Sequence, residues 1–130
     1  MCIRDSLNTE GGDTYHMFEI CDMLSNTDAT VTIVAYGVCM SAGIWILNSA
    51  DVRIATPECF FMIHHGEETV DNTQLKKHHA RMFRKMKDML AERLTVSRAT
   101  LGKYFSKEHY MTAEDALRIG LVDEIRSVPL

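Results

Sequence analysis

The segment that most limits how this chain can fold is residues 30–66. It opens with an apolar, β-branched run, Val31-Thr32-Ile33-Val34-Ala35-Tyr36, which predicts a buried strand. It passes through Gly37-Val38-Cys39-Met40-Ser41-Ala42-Gly43 into Ile44-Trp45-Ile46-Leu47-Asn48, which contains no breaker and predicts the first turns of a buried helix. Ser41 therefore stands where a strand turns into a helix. Backbone N–H groups at a helix start lack intrahelical partners, and the helix dipole makes that end positive. A hydroxyl held there suits an exposed nucleophile with an oxyanion site built into the turn, and Ala42 would supply one N–H. The mechanics are those of a nucleophile elbow, although Met40-Ser41-Ala42-Gly43 does not match the G-x-S-x-G pattern. A serine in this place also reads as a plain helix N-cap, and the turn alone leaves both readings open.

The same segment ends in a second apolar run, Cys59-Phe60-Phe61-Met62-Ile63-His64. It predicts another buried strand with a histidine at its end. Such a histidine can serve as a general base or as a satisfied structural residue. His64, His65, Glu67 and Glu68 also invite a metal reading, but their spacing matches neither the H-E-x-x-H helix nor a zinc framework.

Around this segment the chain alternates. Gly11 and Gly12 permit a tight turn and close backbone approach. Asp13 is placed to cap a helix over residues 14–24, with Met17, Ile20, Cys21 and Leu24 on its apolar face. Strand, helix and strand in this order predict right-handed parallel crossovers. Residues 52–55 read as a short strand, and Pro57 marks the turn into the strand ending at His64. Residues 73–94 predict the longest helix, with a stripe of Leu75, Met82, Met86, Met89, Leu90 and Leu94. Lys76, Lys77, Arg81, Arg84, Lys85 and Lys87 cover much of the rest as a solvated face. Ser97 opens a short helix through Phe105, Thr112-Ala113-Glu114-Asp115 is a variant capping box, and Gly120 suits a helix C-cap before the last strand.

With 130 residues the chain is long enough for a single domain with a real core. Its 46% hydrophobic and 25% charged content is that of a globular protein, and a net charge of −4 does not suggest a nucleic-acid partner. Cys2, Cys21, Cys39 and Cys59 form no C-x-x-C pair, and three lie in apolar runs, which predicts buried free thiols in a reducing compartment. The longest apolar run, residues 31–47, approaches a membrane span in length, but Gly37, Ser41 and Gly43 interrupt it. No membrane partner and no signal peptide are predicted. Met1-Cys2-Ile3-Arg4-Asp5-Ser6 has neither helical nor strand periodicity and reads as a non-native or disordered lead.

Taken together, these motifs resemble the proteolytic subunit of the Clp protease, the ClpP family. The resemblance rests on the glycine turn Gly37 to Gly43 with Ser41 inside it, and on Met62-Ile63-His64. It continues in Tyr110-Met111-Thr112-Ala113-Glu114-Asp115-Ala116 and Gly120-Leu121-Val122-Asp123-Glu124-Ile125, and reaches back to Leu7-Asn8-Thr9-Glu10-Gly11-Gly12. It implies an α/β fold, a ClpP/crotonase-like βαβ spiral core with a protruding handle helix, in one domain over residues 7–130. It implies a serine endopeptidase with Ser41 as nucleophile and His64 as base. The family's acid position falls on Glu108, where the family has Asp, one methylene shorter; Asp123 is the reserve acid, with a structural role in Gly120-Leu121-Val122-Asp123 as its preferred reading. Gly12 inherits the other oxyanion N–H beside that of Ala42. No cofactor and no metal are implied. The partners implied are unfolded polypeptide substrates, further copies of the chain in a homo-oligomeric ring, and an AAA+ unfoldase, in the cytoplasm.

The chain departs from the family in places. The family carries further N-terminal structure ahead of the Gly-Gly turn, so the chain reads as truncated. After the catalytic histidine the family has a Gln-Pro-Leu-Gly-Gly type of segment. Here Glu67, Glu68 and Asp71 would attract cationic peptides if they face the cleft, and the alternative is a solvated loop. Two other functions stay open: a non-catalytic ring subunit, favoured by Glu108 in place of Asp, and a crotonase-type acyl-CoA enzyme, which needs no Ser–His pair. Ser41-Ala42-Gly43 also fits a Ser–Lys peptidase, but Met62-Ile63-His64 does not.

Overall fold

The computed structural model describes residues 1–66 and 71–129. Among them the elements run β1 (Cys2–Thr9), α1 (Thr14–Ser25), β2 (Thr30–Met40), α2 (Ala42–Asn48), β3 (Val52–Ala55), β4 (Phe60–Ile63), α3 (Thr73–Ala91), α4 (Arg98–Phe105), β5 (His109–Met111), α5 (Ala113–Arg118) and β6 (Glu124–Ile125). This is the α/β alternation expected of a spiral core with one long helix.

β2 is the axis of the sheet. Along one edge it pairs in parallel with β1, from Cys2 opposite Thr30 to Thr9 opposite Cys39. Along the other edge it changes partners. Thr32 pairs with Val52 and Ala35 with Ala55 of β3, whereas Val38 pairs with Phe60 and Met40 with Met62 of β4. The changeover falls at Gly37, whose φ of +65° is open to glycine at little steric cost. A Cβ there would also lie 3.0 Å from Asn8 Oδ1, the atom that accepts a hydrogen bond from the Val38 N–H. The register of β1 on β2 shifts at the same place, between Leu7 and Thr9. This irregularity lets one strand serve two neighbours, and it carries the end of β2 to β4. β6 adds in parallel to β3, and β5 adds antiparallel to β4.

The core is built around α2. Ala42, Gly43, Ile44, Trp45, Leu47 and Asn48 are all buried, as expected for a helix apolar on every side. α1 begins where Asp13 accepts from the His16 N–H, and it buries Met17 and Cys21. α3 packs only its second half: Met86 and Leu90 are buried, while its first turns are exposed. Two side chains tie α3 to α2. Trp45 Nε1 donates to the Met86 carbonyl at 2.9 Å, and Asn48 Nδ2 donates to the Met89 carbonyl at 3.1 Å.

Two strands differ from the sequence reading. Residues 1–6 were expected to lie outside any element, yet β1 begins at Cys2. The physical reason is that β1 is a one-sided addition to β2. Its first residues are exposed, so no buried face imposes an alternating pattern on them. β5 is three residues long, too short to show a period. The capping box at Thr112 is present as expected, with the Thr112 hydroxyl on the Asp115 N–H and the Asp115 carboxylate on the Thr112 N–H.

Candidate active site

Ser41 sits at the end of β2 with φ 51° and ψ −123°, the one non-glycine residue with positive φ among those described. That conformation is costly for an L-residue and persists only where its surroundings hold it. Here the Ser41 N–H donates to the Met62 carbonyl at 2.8 Å, pinning the turn to β4, and the Ser41 carbonyl accepts from the Ile44 N–H at 3.0 Å. The Ser41 side chain makes no capping bond to α2, which removes the N-cap reading of this serine. Its Oγ lies instead 2.7 Å from His64 Nε2. His64 directly follows β4, so the two side chains meet because β2 and β4 are paired, Met40 opposite Met62, up to the residues that carry them.

The glycine turn closes on this pair from β1. Gly11 has φ +114°, and a Cβ there would lie 2.7 Å from Ser41 Cβ and 3.1 Å from the Met40 carbonyl oxygen. Only glycine allows that approach. Gly12 faces open space and, with Ser41, Ala42 and His64, lines a cavity of about 270 Å³ whose apolar lining includes Trp45, Phe83 and Met86. His65 stacks on Phe83 with ring centroids 3.8 Å apart, at the same cavity. Gly43, the second residue of α2, packs against Thr9 at the end of β1, so β1 and the turn after it approach the Ser41 turn at two glycines.

The acids fall differently. β5 runs antiparallel to β4 with Met62 opposite Tyr110 and Ile63 opposite His109. The ladder ends there; Glu108 directly precedes β5 and His64 directly follows β4, so the same register continued by one residue would set them opposite each other. The Glu108 carboxylate is exposed, and Oε2 accepts a hydrogen bond from Tyr110 Oη at 2.8 Å. Among the described residues, Ser41 is the hydrogen-bond partner of His64, and none bonds its Nδ1. Tyr110 was not singled out from the sequence. Its position two residues from Glu108, hence on the same face of a strand, was the available signal.

Asp123, the reserve acid, is engaged elsewhere. Its carboxylate takes Arg53 Nη2 at 2.6 Å, Arg53 Nε at 3.2 Å and the Arg53 backbone N–H at 2.7 Å, and the remaining Arg53 donor, Nη1, reaches the Gly120 carbonyl at 2.8 Å. Burial opposes ionisation of Asp123, but the hydrogen bonds and charge of Arg53 outweigh it and hold the carboxyl below the usual range. Asp123 thus has the structural reading of the two the sequence left it, as the partner of a buried arginine. Glu67 and Glu68 lie outside the described residues; Asp71 is exposed just ahead of α3. Among the described residues no group of three or more His, Cys, Asp or Glu could hold a metal ion. Cys21, Cys39 and Cys59 are buried free thiols, and burial pushes the Cys59 thiol up to about 12, far from the reactive thiolate.

The fold and site define an α/β protein with a Ser–His pair set at the ends of two neighbouring parallel strands beside a glycine turn. Its sequence matches the family described as Clp protease over residues 3–128. The chain belongs to the Clp protease family. It is similar to the ATP-dependent Clp protease proteolytic subunit of Deinococcus radiodurans, 28% identical over 95% of this chain and 64% of that protein. Among solved structures it is similar to a point mutant of ClpP1 from Listeria monocytogenes, with a TM-score of 0.87 and 26% identity, covering 97% of this chain and 74% of that one. The chain thus spans less than two thirds of the length of the curated relative. Among the described residues no helix is long and apolar enough to cross a membrane.

Proposed function

We propose that this chain carries the catalytic centre of a Clp-type serine endopeptidase. The observation that carries the reading is the 2.7 Å contact between Ser41 Oγ and His64 Nε2 at a strained turn with no other structural use for the hydroxyl. Ser41 Oγ attacks the carbonyl carbon of a peptide bond as His64 Nε2 takes its proton. The negative charge formed on the carbonyl oxygen meets the N–H groups of Ala42 and Gly12. His64 then delivers the proton to the departing amine, leaving an acyl group on Ser41. Water, deprotonated by His64, releases it and restores the hydroxyl.

Glu108 is the acid of this reading, supported by its place one residue beyond the pair Ile63 opposite His109, next to His64 in a continued register. Its role is to orient the imidazole and to favour the imidazolium that forms during attack. Whole-protein properties follow from the same kinship: unfolded polypeptides as substrates, further copies of the chain as a ring, and an AAA+ unfoldase to feed it. Ile20 at 41% and Met23 at 69% exposed on α1 are apolar surface that such a ring would cover. A purely assembling, non-catalytic subunit is the second reading, favoured by the bond that engages Glu108 with Tyr110 rather than His64.

A fluorogenic peptide assay separates them. Ser41→Ala should lower kcat by about 10⁴-fold or more while the fold stays intact. Equal turnover by the alanine variant would remove Ser41 from the mechanism, and no turnover by the parent chain in its assembled form would favour the non-catalytic reading.

A further inference from the structure

Glu108 is positioned for one partner and bonded to another. Continued one residue past its last pair, Ile63 opposite His109, the antiparallel register of β5 on β4 would carry it opposite His64, yet its carboxylate accepts from Tyr110 Oη at 2.8 Å, and the Nδ1 of His64 has no hydrogen-bond partner among the described residues. Glu108 directly precedes β5 and is two residues from Tyr110, the spacing that puts side chains of an extended chain on one face, and their side chains are hydrogen-bonded to each other. That continued register would put one carboxylate beside two donors, the tyrosine hydroxyl it is bonded to and the imidazole Nδ1–H. A glutamate, one methylene longer than an aspartate, has the freedom to swing between them.

We propose that Tyr110 is a positioning residue that latches Glu108 away from His64, so that the Ser41–His64 pair rests without its orienting acid until the latch opens. The proposal rests on the reading of Ser41, His64 and Glu108 as a catalytic triad. With the latch closed, His64 still bonds Ser41 but nothing fixes its ring through Nδ1. With it open, Glu108 takes the Nδ1–H, the imidazolium formed during attack gains a counter-charge, and acylation speeds up. Tyr110 touches neither substrate nor Ser41; it acts only through Glu108.

The test is the rate at which Ser41 in the full chain reacts with a fluorophosphonate, whose phosphorus bonds to Oγ as fluoride leaves and His64 takes the proton. Tyr110→Phe removes the donor and keeps the ring. Tyr110 is 61% exposed, so the fold does not depend on its hydroxyl. A hydrogen bond to a charged group is strong enough that Tyr110→Phe should label about tenfold faster than the parent chain. Peptide hydrolysis should rise in kcat with KM unchanged, and the acid limb of the pH–rate profile should move to higher pH, because a carboxylate at Nδ1 favours the charged imidazole. Tyr110→Leu, also without the hydroxyl, should behave alike. In a Glu108→Gln background the gain should vanish. Labelling of Tyr110→Phe at or below the parent rate, or a gain that survives Glu108→Gln, overturns the latch while leaving the peptidase reading standing. If neither the parent chain nor Tyr110→Phe reacts at Ser41, both fall together.

Discussion

At the scale of single residues, Ser41 links strain to chemistry. Its φ of 51° lies where side chains are disfavoured, at a cost on the order of 1–3 kcal/mol, and the turn is held by the bond from its N–H to Met62. Glycine at this position would relieve the strain and delete the proposed nucleophile. Ser41→Gly is therefore expected to raise the stability by about 1 kcal/mol, after the entropy cost of a glycine, while hydrolysis is lost. Ser41→Ala should lose hydrolysis without the gain. Urea denaturation of the two variants checks this, and a Ser41→Gly chain less stable than Ser41→Ala would show that the turn is not strained. The pairing of Ser41 with His64 was legible in the sequence because each stands at the end of an apolar strand. The engagement of Glu108 with Tyr110 was not, because a choice between two donors depends on side-chain rotamers rather than on spacing.

At the scale of elements, the legible parts were those with a period or a cap. The long helix over α3, the Asp13 cap of α1 and the capping box of α5 each leave a local signature. β1 and β5 do not, since an exposed edge and a three-residue bridge owe their form to the strands beside them. The bond between β3 and the start of β6 is of the same non-local kind. Arg53 is 5% exposed and has Asp123 as its counter-charge. Asp123→Asn should cost about 1–2 kcal/mol, below the range for a fully buried pair because the Asp123 side chain is 40% exposed and solvent screens the pair. Because the folded carboxyl titrates below its unfolded value of about 3.9, its contribution is present in full above about pH 4. It is lost as pH falls through the lower, folded value. Melts of the parent and Asp123→Asn should therefore converge in strong acid and diverge at neutral pH. A constant gap across that range would mean that the ionised pair is not what stabilises β6.

At the scale of the whole molecule, the family and the fold agree from β1 to β6, and the Ser41–His64 pair lies just past the end of the β2–β4 pairing, beyond the point at Gly37 where the central strand exchanges one neighbour for another. Assembly is expected from the exposed apolar residues of α1 and from the exposed first turns of α3. Light scattering should give a mass several times that of one chain, and a stable monomer would count against the ring. The central claim, that Ser41 is an activated nucleophile, has a more direct test. The parent chain is treated with a fluorophosphonate, digested and sequenced by mass spectrometry. The account expects a single phosphonyl adduct on Ser41, absent when His64 is replaced by alanine. An adduct on another serine, or equal modification of Ser41 with and without His64, would contradict it.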